Sequence, residues 1–174
     1  QTLGLSQPVL QALALKNYTQ ATPIQTQAIP TLLDGRDLLG IAQTGTGKTA
    51  AFMLPSIDRL TKVTRIPRPM TCRMLVLAPT RELATQIAVS AQEYSKHARM
   101  SVTTAFGGVP IGKQRRALER GVDVLVATPG RLIDLVEQRM LSLREVEILV
   151  LDEADQMMDL GFIHALKRIV RDLP

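Results

Sequence analysis

The sequence predicts an α/β fold in which helices cover both faces of a mainly parallel β-sheet. Short runs rich in Val, Leu and Ile alternate along the chain with longer segments of helical periodicity. Runs nearly free of polar residues are typical of strands buried on both faces, and their alternation with helices is typical of parallel sheets. The predicted strands are 37–42, 73–78, 101–106, 123–127 and 146–151, and the predicted helices are 48–61, 81–98, 111–120, 129–139 and 162–172.

Length and composition indicate one compact domain with a sizeable core. Of the 174 residues, 45% are hydrophobic and 21% are charged, which excludes a disordered chain. No apolar stretch approaches the ~20 residues that a membrane span needs. The single cysteine, Cys72, cannot form an internal disulfide, and we expect a cytoplasmic protein. Neither His97 nor His164 has a second ligand at metal-binding spacing, so no structural metal is expected.

Positive charge is concentrated in the middle of the chain. The formal net charge is +5, but residues 61–131 alone hold twelve basic and only four acidic side chains. Such a region can bind the phosphate backbone of a nucleic acid, because each neutralised phosphate releases condensed counterions. The cluster of Lys113, Arg115, Arg116 and Arg120, taken alone, is better explained as a solvated helix face. Charge by itself therefore does not identify a partner.

A phosphate-binding loop is predicted at 42–49, between the first predicted strand and the first predicted helix. Its sequence is Ala-Gln-Thr-Gly-Thr-Gly-Lys-Thr. The backbone N–H groups of such a loop converge on phosphate oxygens, and the helix that follows adds the positive end of its dipole. Lys48 would reach the β- and γ-phosphates, and the Thr49 hydroxyl would bind Mg²⁺. The sequence therefore predicts a nucleoside triphosphate held by Thr44, Gly45, Thr46, Gly47, Lys48 and Thr49.

Carboxylates follow the last predicted strand, where Asp-Glu-Ala-Asp occupies positions 152–155. Hydrolysis of a nucleoside triphosphate needs one acid that holds Mg²⁺, usually through its water shell, and another that orients or deprotonates the attacking water. Asp152 is the metal-side candidate, and Glu153 is the candidate for water activation. An acidic helix start is the alternative. The phosphate loop upstream favours the catalytic interpretation, in which Lys48 takes part as well.

These motifs resemble the DEAD-box ATP-dependent RNA helicases, and specifically their first, N-terminal RecA-like P-loop domain, over residues 1–174. Positions 152–155 spell the motif that names the family, and the sequence is most like the bacterial RhlE-type branch. The segment 17–25 resembles the adenine-recognising Q motif of the family. The resemblance implies that Gln25 pairs with the adenine edge, since its amide offers a donor and an acceptor, and that Tyr18 stacks on the base. It also implies that Asp155 couples this domain to a second one.

Three further segments resemble the motifs with which the family contacts the RNA backbone. Each is predicted to begin where a strand ends and to lead into a helix, so that backbone amides and Thr or Arg side chains can bind phosphates without reading bases. The alternatives are an ion pair for Arg81 and an ordinary turn for the two adjacent glycines. The resemblance implies RNA contacts at Pro79, Thr80, Arg81, Gly107, Gly108, Thr128, Gly130 and Arg131.

The resemblance also implies that the chain is part of a longer enzyme. The Ser-Ala-Thr motif of the family would follow position 174, and its strand would lie between the predicted strands 37–42 and 146–151. We therefore expect a gap in the sheet that another segment fills, or a marginally stable domain. A second RecA-like domain would supply an arginine finger. The whole protein would hydrolyse ATP with Mg²⁺ to unwind or remodel RNA, and this part alone would be nearly inactive.

Two other functions remain open on the sequence. One is a DNA-directed P-loop translocase, against which the Q motif and the intact acidic motif both argue. The other is a non-catalytic RNA-binding scaffold. The presence of Lys48, Thr49, Asp152 and Glu153 together argues against the scaffold, because a chain that had lost catalysis would not need all four.

Overall fold

The computed structural model describes residues 3–43 and 45–174, and within them the chain forms eight helices and four strands. The helices are α1 (Gln7–Leu15), α2 (Pro23–Leu33), α3 (Lys48–Lys62), α4 (Arg81–Tyr94), α5 (Ile111–Leu118), α6 (Pro129–Glu137), α7 (Ala154–Asp159) and α8 (Ile163–Asp172). The strands are β1 (Cys72–Leu77), β2 (Val102–Ala105), β3 (Val122–Ala127) and β4 (Ile148–Leu151). No helix in these two ranges is both long enough and apolar enough to span a membrane.

The four strands form one sheet in the order β2-β3-β1-β4, and all neighbours are parallel. Every residue of β1 and β3 is buried, because these two strands lie in the middle of the sheet with layers on both faces. The predicted α/β class and parallel sheet are confirmed. The bounds of these four strands agree with the prediction to within two residues. The short helices α1, α2 and α7 are not among the predicted elements.

Contacts divide the chain into two compact units. One unit comprises the amino-terminal part through Thr64 together with Ser90–Met100, and the other comprises Arg65–Val89 and Ser101–Pro174, which include the whole sheet. The core of the unit that holds the sheet is a cluster of buried apolar side chains from all layers. Its central members are Leu75, Leu77, Leu118, Leu125, Leu132, Leu135, Met157 and Ile169.

The other unit contains α1, α2 and α3, which bury an apolar core around Ile29, Met53 and Ile57. Asp58 is a fully buried acid in α3. Its carboxylate accepts the backbone N–H of Ser6, at the start of α1, at 2.7 Å and pairs with Lys62 at 2.7 Å. Burial raises the pKa of Asp58, but the hydrogen bonds from Lys62 and Ser6 outweigh it and hold the pKa below its usual value.

The prediction of a strand at 37–42 is wrong. These residues have no regular secondary structure, and their apolar side chains are exposed, with Leu39 89% and Ile41 92% accessible. A strand is stable only when a neighbour pairs with its backbone groups. Within the described residues, β4 pairs with β1 alone, so its other edge is open. The expectation of a further strand beside β4 stays a prediction.

Charged side chains cluster where the strands begin. Arg73, at the start of β1 and 2% exposed, pairs with Asp123 at 3.4 Å and with Glu147 at 2.8 Å. Asp123 also accepts the backbone N–H of Ser101 at 3.0 Å, and Arg65 pairs with Glu147 at 3.2 Å. We call these residues the amino-end ion cluster. They tie the starts of β1 and β3 to the segments that lead into β2 and β4.

Candidate functional site

The carboxyl ends of all four strands lie along one edge of the sheet, which we call the carboxyl edge. Leu77 of β1 is in register with Ala127 of β3 and with Leu151 of β4, and Ala105 of β2 is in register with Ala127. The segments that follow the strands therefore emerge together, in the spatial order 106–110, 128–131, 79–81 and 152–155. Parallel α/β sheets bind their ligands at this edge.

Asp152 and Glu153 follow β4 and differ in burial and in backbone conformation. Asp152 is 4% exposed, and its backbone N–H donates to the Leu77 carbonyl at 2.9 Å, which extends the pairing of β4 with β1. Glu153 is partly buried and has φ 54° and ψ 51°, a left-handed conformation that costs a non-glycine residue about 1–2 kcal/mol. Five other non-glycine residues of the described chain also have a positive φ, so this conformation marks the turn from β4 into α7 and does not by itself assign a function to Glu153. Asp155 is exposed in the first turn of α7.

Arg81, the first residue of α4, packs against the loop that follows β2. Its guanidinium carbon lies 5.1 Å from the centroid of the Phe106 ring, which is a cation–π contact. Gly108 has φ +81°, and a Cβ atom at this position would lie 2.5 Å from Arg81 Nη1. The absent side chain at Gly108 thus gives Arg81 its place. Among the described residues, Arg81 contacts this aromatic ring and forms no ion pair with a carboxylate.

Arg131 and Gln114 hold the same loop through hydrogen bonds. Arg131 Nη1 donates to the Val109 carbonyl at 2.7 Å and to Gln114 Oε1 at 2.9 Å, and Gln114 Nε2 donates to the Phe106 carbonyl at 2.9 Å. Gln114 is 6% exposed, and the Arg131 side chain is 14% exposed. Arg131 therefore has a clear role inside the protein, and its predicted contact with RNA stays a prediction.

The two threonines of the predicted RNA-contact segments begin helices. Thr80 Oγ1 accepts the backbone N–H of Leu83 at 3.2 Å and so caps the start of α4. Thr128 is the N-cap residue of α6, and its side chain makes no capping bond. Pro129 is buried at the first position of α6, and Gly130 is exposed beside it. Unsatisfied N–H groups at such a helix start favour an anion.

Glycines in the left-handed conformation shape the described part of the phosphate loop. Gly45 and Gly47 have φ values of 85° and 82°, in the left-handed region that glycine adopts without strain. Gly47 is the N-cap residue of α3, a helix of 15 residues, and Lys48 and Thr49 open its first turn. The loop therefore ends at a helix N-terminus, where backbone N–H groups and the helix dipole favour phosphate.

A side-chain hydrogen bond closes the phosphate loop on itself. The Thr46 hydroxyl donates to the backbone carbonyl of Gln43 at 2.6 Å. This bond holds the two ends of the loop turn together. Thr44, which the sequence predicts to bind nucleotide, lies outside the described residues.

Gln25 connects the segment that resembles the Q motif with the phosphate loop. Its Oε1 accepts the backbone N–H of Thr22 at 3.1 Å, and its Nε2 donates to the Gly47 carbonyl at 3.2 Å. A Cβ atom at Gly47 would lie 2.4 Å from Gln25 Nε2, so this approach requires glycine. The amide keeps a second donor hydrogen and a second acceptor lone pair, and its predicted pairing with adenine remains chemically available.

Tyr18 lies in a cluster of aromatic and charged side chains. Its ring centroid is 6.5 Å from that of Tyr94, and Lys16 Nζ lies 5.4 Å from both centroids and forms an ion pair with Glu93. Burial raises the pKa of Tyr94, and the neighbouring Tyr18 and Glu93 raise it further. Tyr18 is 49% exposed, so these contacts hold the ring and leave about half of its surface accessible to a ligand.

Sequence reasoning missed three residues that shape these sites, namely Thr22, Phe106 and Gln114. Thr22 carries a readable signal, because Thr followed three residues later by Gln, with Pro between them, is the pattern of a capped helix start, and Thr22 does begin α2. Phe106 and Gln114 carry none, since their roles arise from contacts with Arg81 and Arg131, which are distant in sequence.

Comparison with known proteins places the chain in a family. The sequence model of the DEAD/DEAH box helicases matches residues 22–174. DEAD-box ATP-dependent RNA helicase 14 of Arabidopsis thaliana is 44% identical over the whole chain, which covers 28% of that protein, and RNA helicase CrhR of Synechocystis is 47% identical over 99% of the chain, which covers 34% of that protein. Probable ATP-dependent RNA helicase DDX17 of Homo sapiens is 48% identical over 94% of the chain, which covers 22% of that protein. The chain thus spans about a quarter to a third of these relatives. By its sequence and by its parallel sheet with the acidic motif at the carboxyl edge, it belongs to the DEAD/DEAH box helicase family.

Proposed function

We propose that the full-length protein is an ATP-dependent RNA helicase, of which this chain is the N-terminal RecA-like, ATP-binding domain. The observation that carries the proposal is the phosphate loop, whose glycines at left-handed φ lead directly into α3. The chain is related to proteins named as ATP-dependent RNA helicases, but it covers only a part of each of them. The activity of the whole protein therefore rests on a second RecA-like domain, with which this one would close around its ligands.

The nucleotide would be held by the phosphate loop and by the Q-motif side chains. The backbone of the loop and Lys48 bind the phosphates, Gln25 pairs with the adenine edge, and the accessible face of Tyr18 stacks on the base. The hydrogen bond from Gln25 to Gly47 supports this assignment, because it joins base recognition to the loop that holds the phosphates.

Mg²⁺ would be held by the Thr49 hydroxyl and, through water, by the Asp152 carboxylate. Oxygen donors and a nearly complete water shell are what this hard cation prefers, so the donor set fits it. When bound with ATP, the ion neutralises charge that develops on the phosphates.

Hydrolysis would depend on Glu153. A carboxylate beside the metal-side acid can orient the attacking water and accept its proton. The left-handed backbone at Glu153 turns the chain from β4 into α7 at this residue, which supports a fixed orientation for the side chain. Asp155, exposed on α7, would couple this edge to the second domain.

RNA would bind along the same edge through its phosphates and sugars. The contacts are backbone amides at the starts of α4 and α6, the Thr80 and Thr128 hydroxyls, Gly107 and Gly108, and the Arg81 and Arg131 guanidinium groups. None of these groups reads a base, so binding would be independent of sequence. We assign the protein to the cytoplasm, and we keep the RhlE-type branch as a prediction, because plant, animal and bacterial relatives match at similar identities of 44–48%.

ATP turnover by the full-length protein, measured without nucleic acid, with RNA and with DNA, tests this function. We expect strong stimulation by RNA and little by DNA. Equal stimulation by DNA would favour a DNA translocase, and turnover that neither nucleic acid raises above background would favour a non-catalytic scaffold. Lys48→Ala should abolish nucleotide binding, whereas Lys96→Ala, a matched change at an exposed lysine outside the loop, should leave it intact.

A further inference from the structure

The surface of α5 and of the turn after it carries more positive charge than the nearby carboxylate balances. Four basic side chains lie between Ile111 and Gly121, and all four are exposed. Only Arg115 has an ion-pair partner among the described residues, since its Nε lies 3.9 Å from Glu119. Lys113, Arg116 and Arg120 have none there. Most of the basic residues elsewhere in the unit that holds the sheet are engaged: Arg65, Arg68, Arg73 and Arg168 with carboxylates, Arg81 with a ring and Arg131 with a carbonyl.

Lys113 and Arg116 share one side of α5, because positions three apart on a helix are neighbours. Arg120 lies two residues beyond the end of the helix, in the turn that precedes β3. We call these three residues the α5 cationic face. The opposite side of α5 is buried through Gln114 and Leu118, so the cationic face points to solvent because its helix is anchored behind it.

The anchor of α5 is also the loop that is proposed to contact RNA. Gln114 donates to the Phe106 carbonyl at 2.9 Å and accepts from Arg131 at 2.9 Å, while the Lys113 backbone N–H donates to the Pro110 carbonyl at 3.1 Å. The cationic face is therefore held at a fixed position beside the glycine pair. The sequence alone predicts a solvated helix face for this cluster, and the geometry adds its connection to the binding edge.

We propose that the α5 cationic face is an RNA-binding surface that takes the sugar–phosphate backbone of the nucleotides beyond those held at the carboxyl edge. The inference rests on the proposed function, because it continues the RNA path proposed above. Unpaired cations in a row fit a polyanion that is itself a row of charges. A membrane surface fits less well, since the face has no exposed large apolar residue to insert among lipids.

The test compares RNA binding by the full-length protein with that of Lys113→Gln/Arg116→Gln, using fluorescence anisotropy. OB folds, another class of single-strand binder, cover on the order of 4–16 nucleotides, and on this scale we choose a short oligo(U) probe of about 6 and a long one of about 20 nucleotides. The control is Lys167→Gln/Arg171→Gln, which removes two exposed charges from α8 in the same unit. Both variants change exposed side chains without ion-pair partners among the described residues, so both should unfold at the wild-type temperature.

Each lost phosphate contact makes the slope of log K against log salt concentration shallower by about 0.7, so the loss of two contacts changes it by about 1.4. If the variant and the wild type bind equally at 1 M salt, this change makes the affinity of the variant ~25-fold weaker at 0.1 M salt. We expect this loss for the α5 variant with the long RNA only, and no loss with the short RNA or in the α8 variant. An equal loss in both variants would mean a general charge effect and would overturn the proposal, as would an unchanged slope with the long RNA.

Two further measurements separate the outcomes. Arg81→Ala should weaken binding of both RNA lengths, and if it weakens neither, the proposed RNA site at the carboxyl edge is wrong, whatever α5 does. Vesicles of equal parts phosphatidylcholine and phosphatidylserine are the second probe. If the α5 variant loses binding to them and keeps its affinity for the long RNA, the face binds membranes and the proposal is overturned.

Discussion

The two ends of the sheet differ in how their charged side chains are buried and paired. At the amino end, Arg73 is buried between Asp123 and Glu147, and its charge is balanced by two carboxylates. At the carboxyl edge, Arg81 is exposed on an aromatic ring, and Glu153 sits on a strained backbone. Because Arg73 is buried and paired within the protein, we assign this cluster to stability. From this difference we infer that the amino end contributes stability, while the carboxyl edge is the end that we propose for binding.

The largest effect that follows from this contrast is expected for Arg73→Met. Removing Arg73 leaves the Asp123 carboxylate, whose side chain is 13% exposed, without its cation, which costs about 3–5 kcal/mol, whereas Glu147 keeps its pair with Arg65. Urea unfolding of the full-length protein, followed through the transition of this domain, measures the loss. RNA and nucleotide affinity of the folded variant should be unchanged.

Arg68→Met provides the matched control for Arg73. The Arg68 side chain is 79% exposed and pairs with Glu145 at 3.4 Å, so its loss should cost about 0–1 kcal/mol. If the free energy of unfolding falls less in Arg73→Met than in Arg68→Met, the ion cluster at the amino end does not stabilise the domain as we infer.

A smaller effect is expected at Cys72, which also lies at the amino end. Burial raises the pKa of its thiol from 9.0 to about 12. The unfolded thiol therefore ionises first, so the stability that the buried thiol contributes is complete below pH 9 and is lost as pH rises toward 12. Between pH 8 and 11, the free energy of unfolding should fall by about 3 kcal/mol more in the wild type than in Cys72→Val. Urea unfolding under reducing conditions measures both, and equal pH dependence would show that the thiol titrates alike in both states.

The smallest effect is expected at the carboxyl edge, for Phe106→Leu. Losing an exposed cation–π contact costs about 0.5–1 kcal/mol, which converts to a ~2- to 5-fold weaker RNA affinity if the ring positions Arg81 for phosphate. Fluorescence anisotropy with labelled RNA measures it. Phe106→Tyr keeps the ring and should keep the RNA affinity. An equal loss of affinity in both variants would show that the ring does not position Arg81 for RNA.

The sequence predicted the sheet because most residues of its strands are apolar. Apart from Arg73 and Asp123 near their starts, β1 and β3 contain only apolar residues, and every position of both strands is buried. The run 37–42 is similar in composition but forms no strand, since pairing depends on a neighbour and not on the run itself. The composition of a run therefore predicts whether it is suited to burial, and it does not predict which strand will pair with it.

The sequence predicted where the motif residues lie when a motif carries its own chemistry, and the roles of these residues stay predictions. Gly45 and Gly47 have the left-handed φ that the loop pattern requires, and Asp152 and Glu153 follow β4 as expected. The contacts that support these motifs could not be predicted from the sequence. Gln114 bridges Arg131 and the Phe106 carbonyl because the fold brings α5 and α6 to one loop, and no local pattern encodes that meeting.

We propose that the carboxyl edge carries out ATP hydrolysis in the full-length protein through Glu153. The most direct measurement is RNA-stimulated ATP turnover by full-length Glu153→Gln, with ATP affinity measured on the same preparation. An acid that activates water contributes about 10²–10⁴-fold, so turnover should fall by at least ~100-fold while ATP still binds. Turnover within a few-fold of the wild type would contradict the claim.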